Sequence, residues 1–168
     1  MAKKKVSLES FLSEVRGIES LNPSYRKGGT GKDGTCDCIG LIIGALRRAG
    51  GDWPGLHGSN YSARLEMESM APVRKASDLS FGDLVYKSYP PGSSGYALPD
   101  RYKPGGIFYT GDLLDYYHVG VVLSVSPLII LHMTTPRCKR DTALGKWRYH
   151  GRLKRVIYPE KQSAPGKR

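Results

Sequence analysis

The sequence predicts a single α+β domain in which helices come first and a mainly antiparallel β-sheet follows. Three observations lead to this prediction. The length of 168 residues suits one domain with one core. Apolar residues recur at helical spacing in the first 50 positions, and after position 81 they gather in short runs rich in β-forming residues.

Residues 7–19 predict an amphipathic helix that ends at Asn22-Pro23. Its apolar positions, spaced three or four apart, are Leu8, Phe11, Leu12, Val15 and Ile18. Residues 38–49 are apolar around nearly the whole circumference, which is typical of a buried helix, and Gly50-Gly51 ends it. A third, shorter helix exposed on one side is predicted at 61–70.

Strand predictions begin at the turn Phe81-Gly82-Asp83. The predicted strands cover 84–86, 119–123 and 128–131, with further strands at 147–149 and 153–158. Between them, residues 88–117 form a long inserted loop rich in Pro, Gly and Tyr. The predicted domain covers 1–158, and 159–168 are expected to be a disordered tail.

A net charge of +11 favours an acidic partner such as nucleic acid, an anionic lipid surface or an anionic cell-wall polymer. The sequence carries no recognised nucleic-acid-binding motif, so we expect no specific nucleic-acid partner. Neither a signal peptide nor an apolar run of about 18 residues is visible. We therefore expect synthesis in the cytoplasm and no membrane span. We also expect a monomer.

Cys38 begins the predicted buried helix, where unpaired backbone N–H groups and the helix dipole favour thiolate over thiol. The alternative is that Cys38 is a small buried hydrophobe. Three cysteines do not suggest a disulfide framework, because the number is small and odd. Zinc bound by Cys36, Cys38, Cys138 and a histidine is disfavoured, because Cys-x-Cys is too short and Cys138 is predicted to lie in a basic loop. No metal or cofactor is expected.

A nucleophilic cysteine needs a general base, and two of the four histidines border predicted strands. His118 precedes one strand of a predicted hairpin and His132 follows the other, so both lie at the same end of the sheet. They share a face only if the hairpin loop has an odd number of residues; a two-residue turn would put them on opposite faces. His57 and His150 are interpreted as polar residues at a sheet edge.

Five blocks stand in order between Tyr25 and Met133: Tyr25-Arg26-Lys27-Gly28-Gly29, Asp37-Cys38-Ile39-Gly40-Leu41, Gly82-Asp83-Leu84-Val85, His118-Val119-Gly120-Val121 and His132. Together these blocks resemble the NlpC-type cysteine peptidases, a papain-like family that cuts the stem peptides of bacterial peptidoglycan. Two departures are Ile39, where the family generally has serine, and the unusually long stretch at 87–117.

The resemblance implies a papain-like fold in which the nucleophile helix packs on the sheet. It also implies that Cys38 is the nucleophile, His118 the base and His132 the orienting residue, with Tyr25 and Asp37 at the substrate. The implied activity is hydrolysis of a stem-peptide amide through a thioester, without metal or cofactor. Action at the wall would follow release or carriage by a phage particle.

The inserted loop is either a substrate-specific lid, suited by its tyrosines, or a surface excursion packed on the sheet. Two other functions stay open. One is a wall-binding module of the same fold that has lost catalysis, and the other is a basic nucleic-acid-binding protein.

Overall fold

The computed structural model of the protein describes residues 4–159. These residues form three α-helices: α1 (Leu8–Ser20), α2 (Cys38–Arg48) and α3 (Ser59–Leu65). They also form ten strands: β1 (Val6–Ser7), β2 (Ser24–Tyr25), β3 (Thr35–Cys36), β4 (Met67–Pro72), β5 (Leu84–Tyr89), β6 (Asp115–Val125), β7 (Leu128–Met133), β8 (Cys138–Asp141), β9 (Tyr149–Leu153) and β10 (Val156–Ile157). Apart from Pro159, the predicted tail lies outside the described residues.

Six of the strands build one antiparallel sheet in the order β4-β9-β5-β6-β7-β8. Two small parallel pairs, β1 with β10 and β2 with β3, lie outside it. The predicted α+β class, with helices first and an antiparallel sheet afterwards, is confirmed at this level.

The buried character of α2 follows from its sequence. Every residue from Cys38 to Leu46 is buried, whereas α1 buries only its apolar stripe. Glycine is required at two positions of α2, because a side chain on Gly40 would collide with the carbonyl of Gly29 and one on Gly44 with that of Thr30. The glycine-rich loop therefore lies directly on the helix that begins with Cys38.

The two faces of the sheet pack differently. One face, which includes Val119, Val121 and Leu131, contacts α1 and α2 in the main core. Residues that alternate with these point to the other face and join a smaller cluster around Trp147, together with Val85, Val122 and Ile130. This second face carries the candidate site histidines described below.

Three local predictions are wrong. The strand predicted at 147–149 lies instead at Tyr149–Leu153, and the one predicted at 153–158 is reduced to Val156–Ile157. The third helix ends at Leu65, because Met67–Pro72 pairs with β9 as a strand. Cys138 lies in strand β8 and not in a basic loop, because its segment pairs with β7 at the sheet edge. Charged residues are common on edge strands, and this composition hides such strands from a search for apolar runs.

The insertion is a packed excursion in the structure. It covers 90–114, since β5 extends to Tyr89 and β6 begins at Asp115. Arg64 of α3 holds its end by donating to the carbonyls of Asp112 (2.7 Å) and Leu114 (2.6 Å). The same guanidinium lies over the ring of Tyr102, which is itself buried. These contacts dock the insertion on α3.

Candidate active site

Cys38 is the first residue of α2, and the backbone around its sulfur is rich in donors. Asp37 caps the helix by accepting a hydrogen bond from the N–H of Gly40 at 2.6 Å. The N–H groups of Cys38, Ile39 and Val119 approach the sulfur and stabilise negative charge on it. The sulfur therefore lies beside the residue that follows His118 in β6.

Burial nevertheless outweighs these donors. It raises the pKa of the Cys38 thiol to about 11, with a further contribution from the negative charge of Asp37. The donors at the helix start lower the pKa of the thiol, as expected, but burial and Asp37 raise it by more. The group is a thiol that must lose its proton during a reaction.

Asp37 is held by the chain on both carboxylate oxygens. Oδ2 accepts from the N–H of Gly28 at 2.7 Å, and the Nε2 of His57 lies 2.8 Å from Oδ2 and 2.9 Å from Oδ1. His57 thus lies beside the start of α2. The interpretation of His57 as a residue at a sheet edge is wrong. These contacts favour a role for Asp37 in fixing the helix start, and its contact with substrate stays a prediction.

The two histidines of the predicted hairpin contact each other. Nε2 of His118 and Nδ1 of His132 are 2.8 Å apart. The turn between β6 and β7 has two residues, which by strict alternation would have placed the histidines on opposite faces. A β-bulge between Val122 and Ser124 adds one residue to β6 and restores the shared face.

Asp141 and Trp147 complete this cluster, and sequence reasoning missed both. Oδ1 of Asp141 lies 3.1 Å from Nε2 of His132, and Oδ2 accepts from the indole N–H of Trp147 at 3.0 Å. The Trp147 ring stacks on His118 and meets His132 edge-on. The ammonium of Lys87 lies 4.9 Å from the centre of the same indole.

The pKa values of both histidines lie below the ordinary imidazole value. Burial, aided by the neighbouring His132 and Lys87, lowers the pKa of His118 to about 3. Burial also lowers the pKa of His132, although Asp141 opposes that change. A neutral imidazole is the form that can accept a proton from a thiol.

The route from Cys38 to His118 passes the backbone of Val119. Val119 packs toward α2, whereas His118 packs on Trp147 on the other face of the sheet. Within residues 4–159, no hydrogen bond joins the Cys38 sulfur to His118. The sulfur and the imidazole are therefore not in direct contact, and a reaction that uses both would need their side chains to move closer.

Tyr25 lies next to the cysteine with its side chain partly exposed. It pairs with Cys36 through β2 and β3, and its N–H donates to the carbonyl of Pro136 at 3.0 Å. Burial, followed by the negative charges that Cys38 and Asp37 can carry, raises its pKa. Tyr25 thus lies near Cys38, and its contact with substrate stays a prediction.

Residues 4–159 show neither a metal-binding group of side chains nor a membrane-spanning helix. That part of the chain contains no group of three or more Cys, His, Asp or Glu side chains able to hold a metal ion. Among the same residues, no helix is long and apolar enough to cross a membrane.

No protein-family model matches the chain, and no curated protein matches it. A solved structure does match: a protein of Staphylococcus aureus subsp. aureus Mu50 described as similar to a lipoprotein of the NLP/P60 family. The TM-score is 0.52 and the identity 16%, and the match covers 91% of this chain but only 44% of the other. The chain is therefore a mixed α/β domain with a fold like that of NLP/P60 proteins, and the likeness extends to the fold alone.

Proposed function

We propose that the protein is a cysteine peptidase that hydrolyses an amide bond in the stem peptides of bacterial peptidoglycan. One observation carries the proposal. A cysteine at the start of a buried helix lies beside Val119 of β6, and the residue before Val119, His118, is hydrogen-bonded to a second histidine. A nucleophile, a base and an orienting group are the parts that covalent acyl transfer requires.

In the proposed reaction the thiol proton of Cys38 moves to Nδ1 of His118 as the sulfur attacks the amide carbon. The N–H groups at the start of α2 stabilise the oxyanion. His118 then gives its proton to the leaving amine as the C–N bond breaks, which leaves a thioester. Water, deprotonated by His118, cleaves the thioester and restores the thiol. Because the resting pair is neutral, proton transfer accompanies attack.

The assignment to peptidoglycan is supported by fold and charge together. The matched NLP/P60 fold hints at a cell-wall peptidase, and a net charge of +11 suits an anionic wall. Within the proposal the fold is papain-like, Tyr25 contacts substrate, and the protein acts on the wall after release or carriage by a phage particle.

Digestion of purified peptidoglycan tests this proposal. We expect the protein to release soluble fragments whose masses, measured by mass spectrometry, show one kind of newly exposed amine and carboxyl end. Cys38→Ala should release none, whereas Cys36→Ala should behave like the unaltered protein, because Cys36 is fully buried behind the helix start.

Fragments released equally by Cys38→Ala would contradict the proposed nucleophile. Retention on walls without any fragments would instead indicate a binding module of the same fold. The neutral thiol and the lack of a hydrogen bond between Cys38 and His118 are the observations that favour this second candidate.

A further inference from the structure

Three side chains stand in series behind the proposed nucleophile. His118 contacts His132 (2.8 Å), and His132 contacts Asp141 (3.1 Å). Asp141 pairs with Ile130 across β7 and β8, and Ile130 and His132 alternate onto the same sheet face. The carboxylate is therefore built into the sheet at the far end of the histidine pair.

Counting protons along the series fixes both imidazole tautomers. An ionised carboxylate only accepts, so the Nε2 of His132 that faces Asp141 must carry the hydrogen. A neutral His132 then has a bare Nδ1, which can only accept. The Nε2 of His118 must therefore donate to it, and a neutral His118 is left with a bare Nδ1.

The reverse series would disable the base. If Nδ1 of His132 carried the hydrogen, Nε2 of His118 would have to accept it. Nδ1 of His118 would then carry the remaining hydrogen of that ring. Such an imidazole cannot take a proton from Cys38 at Nδ1. The two arrangements differ in whether the group that faces Nε2 of His132 accepts a hydrogen bond or donates one. That group therefore selects between them.

The surroundings of Asp141 keep it an ionised acceptor. Although burial raises its pKa, contacts with His132, Trp147 and Lys87 more than reverse this effect and hold the pKa below its ordinary value. Lys139 also faces it, with Nζ 4.0 Å from Oδ1. The Trp147 N–H occupies Oδ2, which leaves Oδ1 for His132.

The contact between His132 and Asp141 is close but bent. Nε2 of His132 is fully buried and has no well-aligned hydrogen-bond partner in residues 4–159. Asp141 Oδ1, at 3.1 Å, is the acceptor in reach. A buried N–H without any acceptor would be costly, so this short contact is the one available to satisfy the nitrogen.

We infer that Asp141 is a positioning residue: through His132 it sets the tautomer of His118 that leaves Nδ1 free to accept the proton of Cys38. The inference rests on the proposed function for its catalytic consequence. The tautomers themselves can be observed whether or not the protein hydrolyses peptidoglycan.

The variant Asp141→Asn tests the inference with almost no change of shape. Its amide can donate to Nε2 of His132 and so favours the reverse series. In ¹⁵N-labelled protein at neutral pH, long-range ¹H–¹⁵N spectra should show hydrogen on Nε2 of both histidines. In Asp141→Asn the hydrogen should move to Nδ1 of both. For peptide hydrolysis, kcat should fall about 100-fold or more with KM little changed.

Two further variants separate this role from a general loss of structure. Arg140→Met changes the neighbouring residue of β8, whose guanidinium pairs with Glu19 at 2.8 Å, and leaves the series intact, so tautomers and kcat should stay as in the unaltered protein. Asp141→Glu restores an acceptor and should recover the Nε2–H tautomers and part of the lost kcat.

A spectrum of the unaltered protein with hydrogen on Nδ1 of His132 would overturn the inference. Unchanged tautomers in Asp141→Asn would overturn it as well. If the variant fails to fold, the spectrum of the unaltered protein and that of Asp141→Glu still decide. If no peptidoglycan is cut, the proposed function fails while the tautomer result stands by itself.

Discussion

Replacing His118 with glutamine should lower kcat/KM for stem-peptide hydrolysis by about 10²–10⁴-fold, the usual contribution of a general base. In the proposed reaction this imidazole takes the proton of Cys38, whose pKa is raised by burial to about 11. Glutamine keeps a polar group opposite His132 but cannot accept and return a proton. Hydrolysis rates on a soluble stem peptide, measured across pH, provide the test.

The pH dependence of kcat/KM in the unaltered protein gives a second test of His118 as the base. A lowered pKa means that His118 stays neutral as the pH falls below the ordinary imidazole value of 6.5. The groups facing it are His132, Lys87 and Asp141, and the first two oppose its protonation. The acid limb of kcat/KM should therefore lie well below pH 6.5.

His150→Gln is the matched control for His118→Gln. His150 lies on β9, an interior strand separated from β6 by β5, and not at a sheet edge as predicted; its Nδ1 contacts Asp83 at 2.8 Å. Its loss should leave kcat/KM within a few-fold of the unaltered value. Equal losses in the two variants would contradict the assignment of His118 as the base.

Replacing Arg155 with methionine should lower the free energy of unfolding by about 3–5 kcal/mol, because it leaves a carboxylate buried without its partner. Arg155 is 2% exposed and Glu66 3% exposed. The guanidinium donates to both oxygens of Glu66, at 2.6 and 3.2 Å, and to Asp52 at 2.7 Å. It ties the turn before β10 to the end of α3 and to the segment after α2. Urea unfolding measures the change.

Two further variants test the cause of this loss. Adding Glu66→Leu to Arg155→Met should recover much of the stability, since the unpaired charge is then gone. Arg48→Met, which breaks an exposed pair with Glu14, should cost about 1 kcal/mol or less. If all three variants lost the same stability, burial of the charge would not be the cause.

The main elements of the fold could be predicted because their signals are local. The apolar stripe of α1 and the fully apolar α2 follow from residue spacing, and the β-forming runs of β6 and β7 follow from composition. Strand β8 was not predicted, because Cys138–Asp141 is polar and becomes a strand only by pairing with β7. Local preference contains no information on that pairing.

The residues of the candidate site also fall into those that local sequence predicts and those that it does not. Cys38, His118 and His132 stand in recognisable blocks, whereas His57, Asp141 and Trp147 reach the site through contacts distant in sequence. The bulge in β6 that turns His118 and His132 to one face has no clear signal in the residues around Leu123. For Cys38 the sequence allowed both an activated thiol and a small buried hydrophobe, and in the structure burial raises the pKa of the thiol to about 11.

The most direct measurement of the central claim is the mass of the protein while it turns over a soluble stem peptide. After rapid acid quenching, intact-protein mass spectrometry should show a species heavier by the acyl part of the substrate. Fragmentation should place the added mass on the peptide that contains Cys38, and Cys38→Ala should show none. Hydrolysis with no acylated protein at any quench time, or an adduct on Cys36 or Cys138, would contradict the proposed thioester at Cys38.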